Sequence, residues 1–281
     1  MGKLFSVASW NVEHFGATKK TRALSRPIKP PLEFIAAQNA DVIAIYEVRS
    51  SQVFKPLVEK LPGYTFHITE GPQTQEILVG VRHGIPSFVT QKVEFKAAQS
   101  SLRPGVLLTL FVKGEYYPIL FLHLKSMTDP RGFGIRDEML RRALKFRRVL
   151  NAKAIAGGSK TSNYIFVGDL NTMGLDYPYS KHDIPAEEEI HELKRRAKHH
   201  SKKMRVLEKN ADATWCGGSG SKYPPSNLDH VVAADHLSFR QFGGAEVDVR
   251  GWPQEATKAA RDKWTKKYSD HALLYFELRT P

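Results

Sequence analysis

Apolar residues follow two rhythms along this chain. Short apolar runs at 4–10, 41–47, 106–112, 117–124, 163–171 and 227–232 are bounded abruptly, at one end or the other, by Gly, Asn, Asp, Glu, His or Lys. Runs of that length, ended by turn formers, predict strands buried on both faces. Further strands are expected at 64–68, at 76–81 and in a closing segment to Leu278, and Lys113-Gly114-Glu115 has the glycine and the length of a hairpin connection.

The second rhythm has a period near 3.6. Met139, Ala143, Phe146, Leu150 and Ala154 recur at three- and four-residue spacing and predict an amphipathic helix over 135–156, with Arg141, Lys145 and Arg148 on another face. A second long helix is expected over 186–209. Its first turn holds Glu187, Glu188 and Glu189, the remainder is rich in Lys and Arg, and Ile190, Leu193, Ala197, Met204 and Leu207 could form its buried stripe. Shorter helices are expected at 32–40, 51–61 and 253–264. Strands and helices that alternate irregularly, with hairpin-like joins in both halves, predict an α/β fold in which two mixed sheets pack face to face beneath outer helices. No linker-like shift in composition cuts the 281 residues, so one domain is expected, with a basic helical insertion around 186–209.

The polar residues that end the apolar runs carry the chemistry. Asn11, Glu47, His123, Asp169, Asn171, Asp229, Asp270 and His271 all fall at or beside predicted strand ends. Any one of them alone is an ordinary turn former or cap. Together they form a set of carboxylate and amide oxygens with two imidazoles, delivered by rigid elements, which suits a hard divalent cation and proton transfer. If the 163–171 strand stays extended to its end, Asp169 and Asn171, two apart, point to the same side. Cys216 is the only cysteine, so no intrachain disulfide or multi-thiolate site can form, and Mg²⁺ or Mn²⁺ is favoured over zinc. Phosphodiester hydrolysis needs this inventory: a metal against the phosphate charge, a base for water and a donor for the leaving oxygen.

Charge narrows the partner. The chain carries 42 Lys and Arg against 29 Asp and Glu, a net +13, with basic clusters at 19–29, 135–156, 194–209 and 261–267. Dispersed cations of this kind suit a phosphate backbone, DNA first and RNA second. No run of about 18 apolar residues exists to span a bilayer, and no membrane partner is expected. The lone cysteine fits a reducing compartment, no signal peptide is visible, and a cytoplasmic monomer is expected.

Ser-Trp-Asn-Val-Glu at 9–13, Ile-Tyr-Glu-Val-Arg at 45–49, Leu-His-Leu-Lys-Ser at 122–126, Val-Gly-Asp-Leu-Asn at 167–171, Asn-Leu-Asp-His-Val at 227–231 and Ser-Asp-His at 269–271 resemble, in order, the motifs of the endonuclease/exonuclease/phosphatase superfamily. The resemblance spans nearly the whole chain and implies a four-layered α/β sandwich with its active site at one edge of two packed mixed β-sheets. It makes Glu47 the principal metal ligand, with Asn11 and Asp270 completing or adding to the site. Asp169 and Asn171 would orient water and the scissile phosphate, and His271 would pair with Asp229. His123 and Gln75-Glu76-Ile77-Leu78 resemble the deoxyribonuclease I branch, where Glu76 and His123 would form a second acid–base pair. Arg103 resembles an arginine of that branch that contacts substrate phosphate, unless it is an ordinary surface residue. Glu13 stands where some relatives carry an acidic metal-site residue.

The single cysteine departs from the secreted members of that branch, which carry disulfides. His123 departs from the tyrosine-centred motif usual in abasic-site endonucleases. His14, His199 and His200 read as surface or core histidines, since sequence assigns them no carboxylate partner, and the four tryptophans read as core or substrate-wall residues. The expected function is a Mg²⁺-dependent, largely sequence-nonspecific endonuclease acting on DNA. The alternatives are an abasic-site repair or RNA-directed nuclease of the same superfamily, or a noncatalytic nucleic-acid-binding module.

Overall fold

The structure, a computed structural model, describes residues 2–17, 26–71, 75–96, 99, 102–179 and 181–280. Lys19, Lys20 and Arg22 of the first basic cluster lie outside the described residues. The chain divides into two compact units, Met1–Ile85 with Lys209–Ser226 and Phe239–Thr280, and Pro86–Glu208 with Asn227–Ser238.

The first unit is built on β1 (Lys3–Phe15), which runs parallel to β2 (Val42–Val48) and antiparallel to β13 (Leu273–Arg279). β2 continues antiparallel to β4 (Glu76–Arg82), and β4 to β3 (Tyr64–Ile68). The short strands β11 (Ser238–Phe239) and β12 (Asp248–Arg250) flank β13 to complete a seven-stranded mixed sheet. The apolar runs are short because these strands are covered on both faces: eight successive residues of β1, Phe5 to Val12, are buried. Helices α1 (Lys29–Ala37), α2 (Phe54–Lys60) and α5 (Lys258–Lys267) belong to this unit. Trp10 of β1 packs against Phe34 of α1 and Trp264 of α5 with ring centroids 5.2 and 6.1 Å apart. Trp10, Trp252 and Trp264 are therefore core residues.

The second unit repeats the pattern. β7 (Glu115–His123) runs parallel to β8 (Ile165–Asp169), β6 (Gly105–Val112) and β5 (Ser87–Lys92) extend one side, and β10 (Asp229–Ala234) and β9 (Met204–Val206) the other. Sequence reading passes over β5 because it is an edge strand, half exposed, with Phe88 70% accessible and no continuous apolar run. Helix α3 (Pro130–Ala156) buries Met139, Leu140, Ala143 and Leu144 against Leu120, Leu122 and Phe166. It begins five residues before the apolar rhythm does, because Asp129 accepts the backbone N–H groups of Arg131 and Gly132 and Pro130 sits in the first turn.

The expected helix over 186–209 is corrected. Helix α4 (Ala186–Lys198) ends where His199 turns extended, and Met204 and Val206 are buried with Arg205 between them as strand β9, not as a helical stripe. A two-residue alternation of apolar positions, which a helical window averages away, decides it. Among the described residues no helix is long and apolar enough to cross a membrane.

Candidate active site

In the first unit, the C-terminal ends of the parallel strands β1 and β2 depart from regular pairing at the same level. The β1–β2 register shifts between Asn11 and Phe15, and the β2–β4 register between Ile45 and Val48. Within these irregularities His14 and Glu47 take left-handed backbone, φ 54° and 63°, at about 1–3 kcal/mol for each non-glycine residue so held. The result gathers donors around one carboxylate. Glu47 accepts the His14 backbone N–H at 3.0 Å, meets His14 Nδ1 at 2.7 Å, and receives Gln75 Nε2 at 2.6 Å and Asn11 Nδ2 at 3.4 Å.

Asn11 is buried, and its Nδ2 also lies 3.5 Å from His271 Nε2. Its Oδ1 is a buried oxygen with no hydrogen-bond partner among the described residues. A carboxylate oxygen beside such an amide oxygen is a donor set that fits a hard divalent cation.

The Ser269-Asp270-His271 turn is stitched to β1. Trp10 Nε1 donates to His271 O at 2.8 Å, the Ser269 hydroxyl donates to Asn11 O at 2.7 Å, and Ser269 Oγ accepts the N–H groups of His271 and Glu13. Asp270 is held differently from Glu47: its Oδ2 accepts Trp215 Nε1–H at 2.8 Å and its Oδ1 lies 3.3 Å from the Ser269 hydroxyl. Glu76, the first residue of β4, accepts the Thr69 hydroxyl, which in turn accepts the Ile77 N–H. Glu13 pairs with Arg26, whose guanidinium also bonds Glu13 O and Thr265 O, so this acid serves as a tether.

In the second unit, three titratable side chains sit in one row across neighbouring strands. His123 at the end of β7 is in register with Asp169 at the end of β8, and Asp169 is in register with Asp229 at the start of β10. All three are buried, and His123 Nε2 lies 3.5 Å from Asp169 Oδ2. Two carboxylates directly opposite on adjacent strands repel each other unless a proton or a cation intervenes, and a neighbouring imidazole can supply one.

The expectation that Asp169 and Asn171 extend to the same side is corrected, because the strand ends at Asp169 and Asn171 turns left-handed, φ 50°. Its backbone N–H caps Asp169 Oδ1 at 3.0 Å and its Nδ2 donates to Leu124 O at 3.1 Å. The amide thus fixes the Asp169 carboxylate and joins the end of β8 to the residue after β7. Arg103, half-buried ahead of β6, lies in a cluster with Arg131 and Lys125. Partial burial holds the Lys125 ammonium below the usual lysine range, with Arg103, Arg131 and Arg136 adding to the effect and Asp129 opposing it.

Sequence reasoning missed His14, Gln75, Trp215 and Ser269 as parts of this site. The pair of His14 with Glu47 spans 33 residues and depends on two coincident strand irregularities, so spacing gives no sign of it. Gln75 adjoins the segment 75–78 that sequence singled out for Glu76, and that adjacency was the one available signal.

No family model matches the sequence. No curated protein sequence matches it either. Solved structures do match. Truncated Caenorhabditis elegans TDP2 is similar at 14% identity and TM-score 0.65 over 98% of both chains. D. rerio TDP2 complexed with a single-strand DNA product is similar at 16% identity and TM-score 0.64 over 98% of this chain and 99% of that one. An endonuclease/exonuclease/phosphatase protein from Beutenbergia cavernae DSM 12333 is similar at 18% identity and TM-score 0.62 over 99% of this chain and 72% of that one. Likenesses at this level of identity establish the fold, and the fold is that of the endonuclease/exonuclease/phosphatase superfamily, the one that the ordered motifs resemble.

Proposed function

We propose that this chain is a divalent-metal-dependent phosphodiesterase, a largely sequence-nonspecific endonuclease that hydrolyses DNA. The observation that carries the reading is the buried row His123–Asp169–Asp229 at the strand ends of the second sheet. Acids placed side by side out of solvent, next to an imidazole, serve no packing purpose that apolar residues would not serve better. The net charge of +13 supports a polyanionic substrate, and the D. rerio TDP2 neighbour carrying single-strand DNA supports DNA in particular.

In this reading Glu47 is the principal metal ligand, with Asn11 and Asp270 beside it. A Mg²⁺ or Mn²⁺ ion there would neutralise charge developing on the phosphate oxygens. Asp169, its carboxylate aimed by Asn171, orients the attacking water and the scissile phosphate. His271 works with Asp229, and His123 with Glu76, as two acid–base pairs that move a proton off water and onto the leaving oxygen. Arg103 contacts a substrate phosphate.

Supercoiled plasmid incubated with the protein and Mg²⁺ is expected to be nicked and then linearised, and EDTA to stop the reaction. Plasmid that is bound but left intact at enzyme excess would mean a noncatalytic binding module. Faster cleavage of abasic or RNA oligonucleotides than of intact DNA would move the assignment within the superfamily.

A further inference from the structure

The loops that leave the ends of β7 and β8 are locked together by one arginine. Arg136 of α3 is 0% exposed and uses all five of its N–H donors: Nε on Glu189 Oε1 at 2.7 Å, Nη1 on Lys125 O and Met127 O at 3.2 and 3.0 Å, and Nη2 on Gly174 O and Glu189 Oε2, both at 2.9 Å. Gly174 N–H returns to Glu189 Oε2 at 2.8 Å, and Asp176 N–H donates to Thr128 O at 2.8 Å. Leu175 and Ile184 exchange backbone hydrogen bonds at 2.8 and 2.9 Å, which closes the base of the second loop. Gly174 has φ 79°, and a Cβ there would stand 2.2 Å from Ile184 O. The loop over 175–184 is therefore anchored at its base.

The anchored loop displays two aromatic rings among exposed polar residues, Asp176, Lys181, His182 and Asp183. Tyr177 is 39% exposed and Tyr179 87%, with their rings at right angles and centroids 6.1 Å apart. Across from it, in the loop after β7, Met127 is 55% exposed and held in left-handed backbone, φ 92°. A strained methionine and two tyrosines kept in solvent add nothing to a core, and backbone strain of this kind gathers at functional positions. Cations lie in both loops: Lys125 stands two residues before Met127, in the cluster with Arg103 and Arg131, and exposed Lys181 follows Tyr179 by two residues. Aromatic faces beside a track of cations are what an unpaired nucleic-acid strand binds, because every base has a π-face and every linkage a phosphate.

We propose that Tyr177, Tyr179 and Met127 form a stacking platform for unpaired bases of single-stranded DNA, with Arg103, Lys125 and Arg131 taking the adjoining phosphates. The inference rests on the nuclease reading and narrows it, since a closed duplex hides its base faces in its own stack and cannot use such a platform.

The test is binding of a labelled single-stranded 12-mer, and of the same sequence as a closed hairpin duplex, to the full chain in EDTA. The joint variant Tyr177→Ala/Tyr179→Ala should weaken single-strand binding about thirtyfold or more and duplex binding much less, since it removes two base–aromatic stacks worth about 1–3 kcal/mol each. The joint Tyr177→Phe/Tyr179→Phe variant should bind as the wild type does, because the ring and not the hydroxyl makes the stack. Unchanged single-strand binding in the alanine variant, or equal loss for both ligands, overturns the platform. Binding in EDTA needs no cleavage, so failure of the plasmid assay sinks the nuclease reading while failure of this one sinks the platform alone.

Discussion

The two sheets are built to one plan and furnished with opposite chemistry. In each, a parallel pair lies at the centre, β1 with β2 and β7 with β8, and antiparallel strands extend both sides. In each, the C-terminal ends of the parallel pair carry polar residues, Asn11 and Glu47 in the first and His123 and Asp169 in the second. The next antiparallel strand begins beside an acid in both cases, Asp270 ahead of β13 and Asp229 at the start of β10.

Their electrostatics differ. Glu47 is ringed by donors from Asn11, His14 and Gln75. Asp169 faces a second carboxylate across the strand and an imidazole on its other side. One edge surrounds a single carboxylate with donors, and the other sets two carboxylates and an imidazole in one row. The same backbone frame thus presents different chemical groups in the two units, and the side chains at the strand ends make that difference.

Single substitutions at each edge should have the largest effects. Glu47→Gln and Asp169→Asn should each lower plasmid cleavage by about a thousandfold or more, as loss of a metal ligand or of a group that acts in the transition state does. Glu47→Gln should also raise the Mg²⁺ concentration needed for half-maximal rate, and Asp169→Asn should not. A matched shift in metal dependence for both would show that the two edges do not divide the work. The double variant should lose little more than either single one, as groups acting in one step do.

A second contrast lies in the arginine tethers of the two units. Arg136 and Glu189 are 0% and 6% exposed, whereas Glu13, the partner of Arg26, is 37% exposed. Glu189→Ala strands a buried guanidinium and should cost about 3–5 kcal/mol in denaturant unfolding. Glu13→Ala should cost less, because Glu13 is partly open to solvent and the buried Arg26 guanidinium keeps its bonds to the backbone carbonyls of residue 13 and Thr265. Equal losses would show that exposure does not distinguish the two tethers.

The proposed roles of the imidazoles at both edges imply a pH-dependent rate. If His123 and His271 both transfer protons, the plot of log kcat/KM against pH should bend within about pH 5–8, where imidazoles titrate. His123→Ala and His271→Ala should each remove one limb of the curve, and a flat wild-type profile would contradict two working histidines.

The smallest effect separates surfaces rather than sites. In the second unit, hydrogen bonds from Arg141 and from Arg195 hold the Glu138 and Glu192 carboxyls at about 2, with Arg142 and Arg196 contributing. A carboxyl depressed in the folded state contributes stability above its ordinary value, near 4, and loses it as pH falls toward 2. Glu138→Gln with Glu192→Gln should reduce stability at pH 7 slightly and flatten its decline between about pH 5 and 2, measured by urea midpoints. A decline as steep as in the wild type would place the acid sensitivity elsewhere.

Much of this architecture was legible in the residues. β2, β7, β8 and β10 announce themselves as apolar runs because both their faces are buried, and burial on both faces leaves no room for alternation. The polar strand ends stood out by contrast with those runs. Edge strands such as β5 and β9 were passed over, because half-exposed residues mix apolar with polar and blur the signal.

Which residue types end which strands is written in the chain, and with it the class of chemistry: oxygen donors, imidazoles and a basic surface with a single cysteine. Only the tertiary structure decided how those groups are aimed. His14 and Gln75 became partners of Glu47 through paired strand irregularities, and Asn171 became a cap on Asp169 through a left-handed turn. Arg136 of α3 became the clasp of two loops through its pairing with Glu189 of α4 and its bond to Gly174 O. Residue identity and periodicity are local properties of the chain. The direction of a side chain at a strand end depends on backbone angles set by neighbours tens of residues away, and no local pattern encodes them.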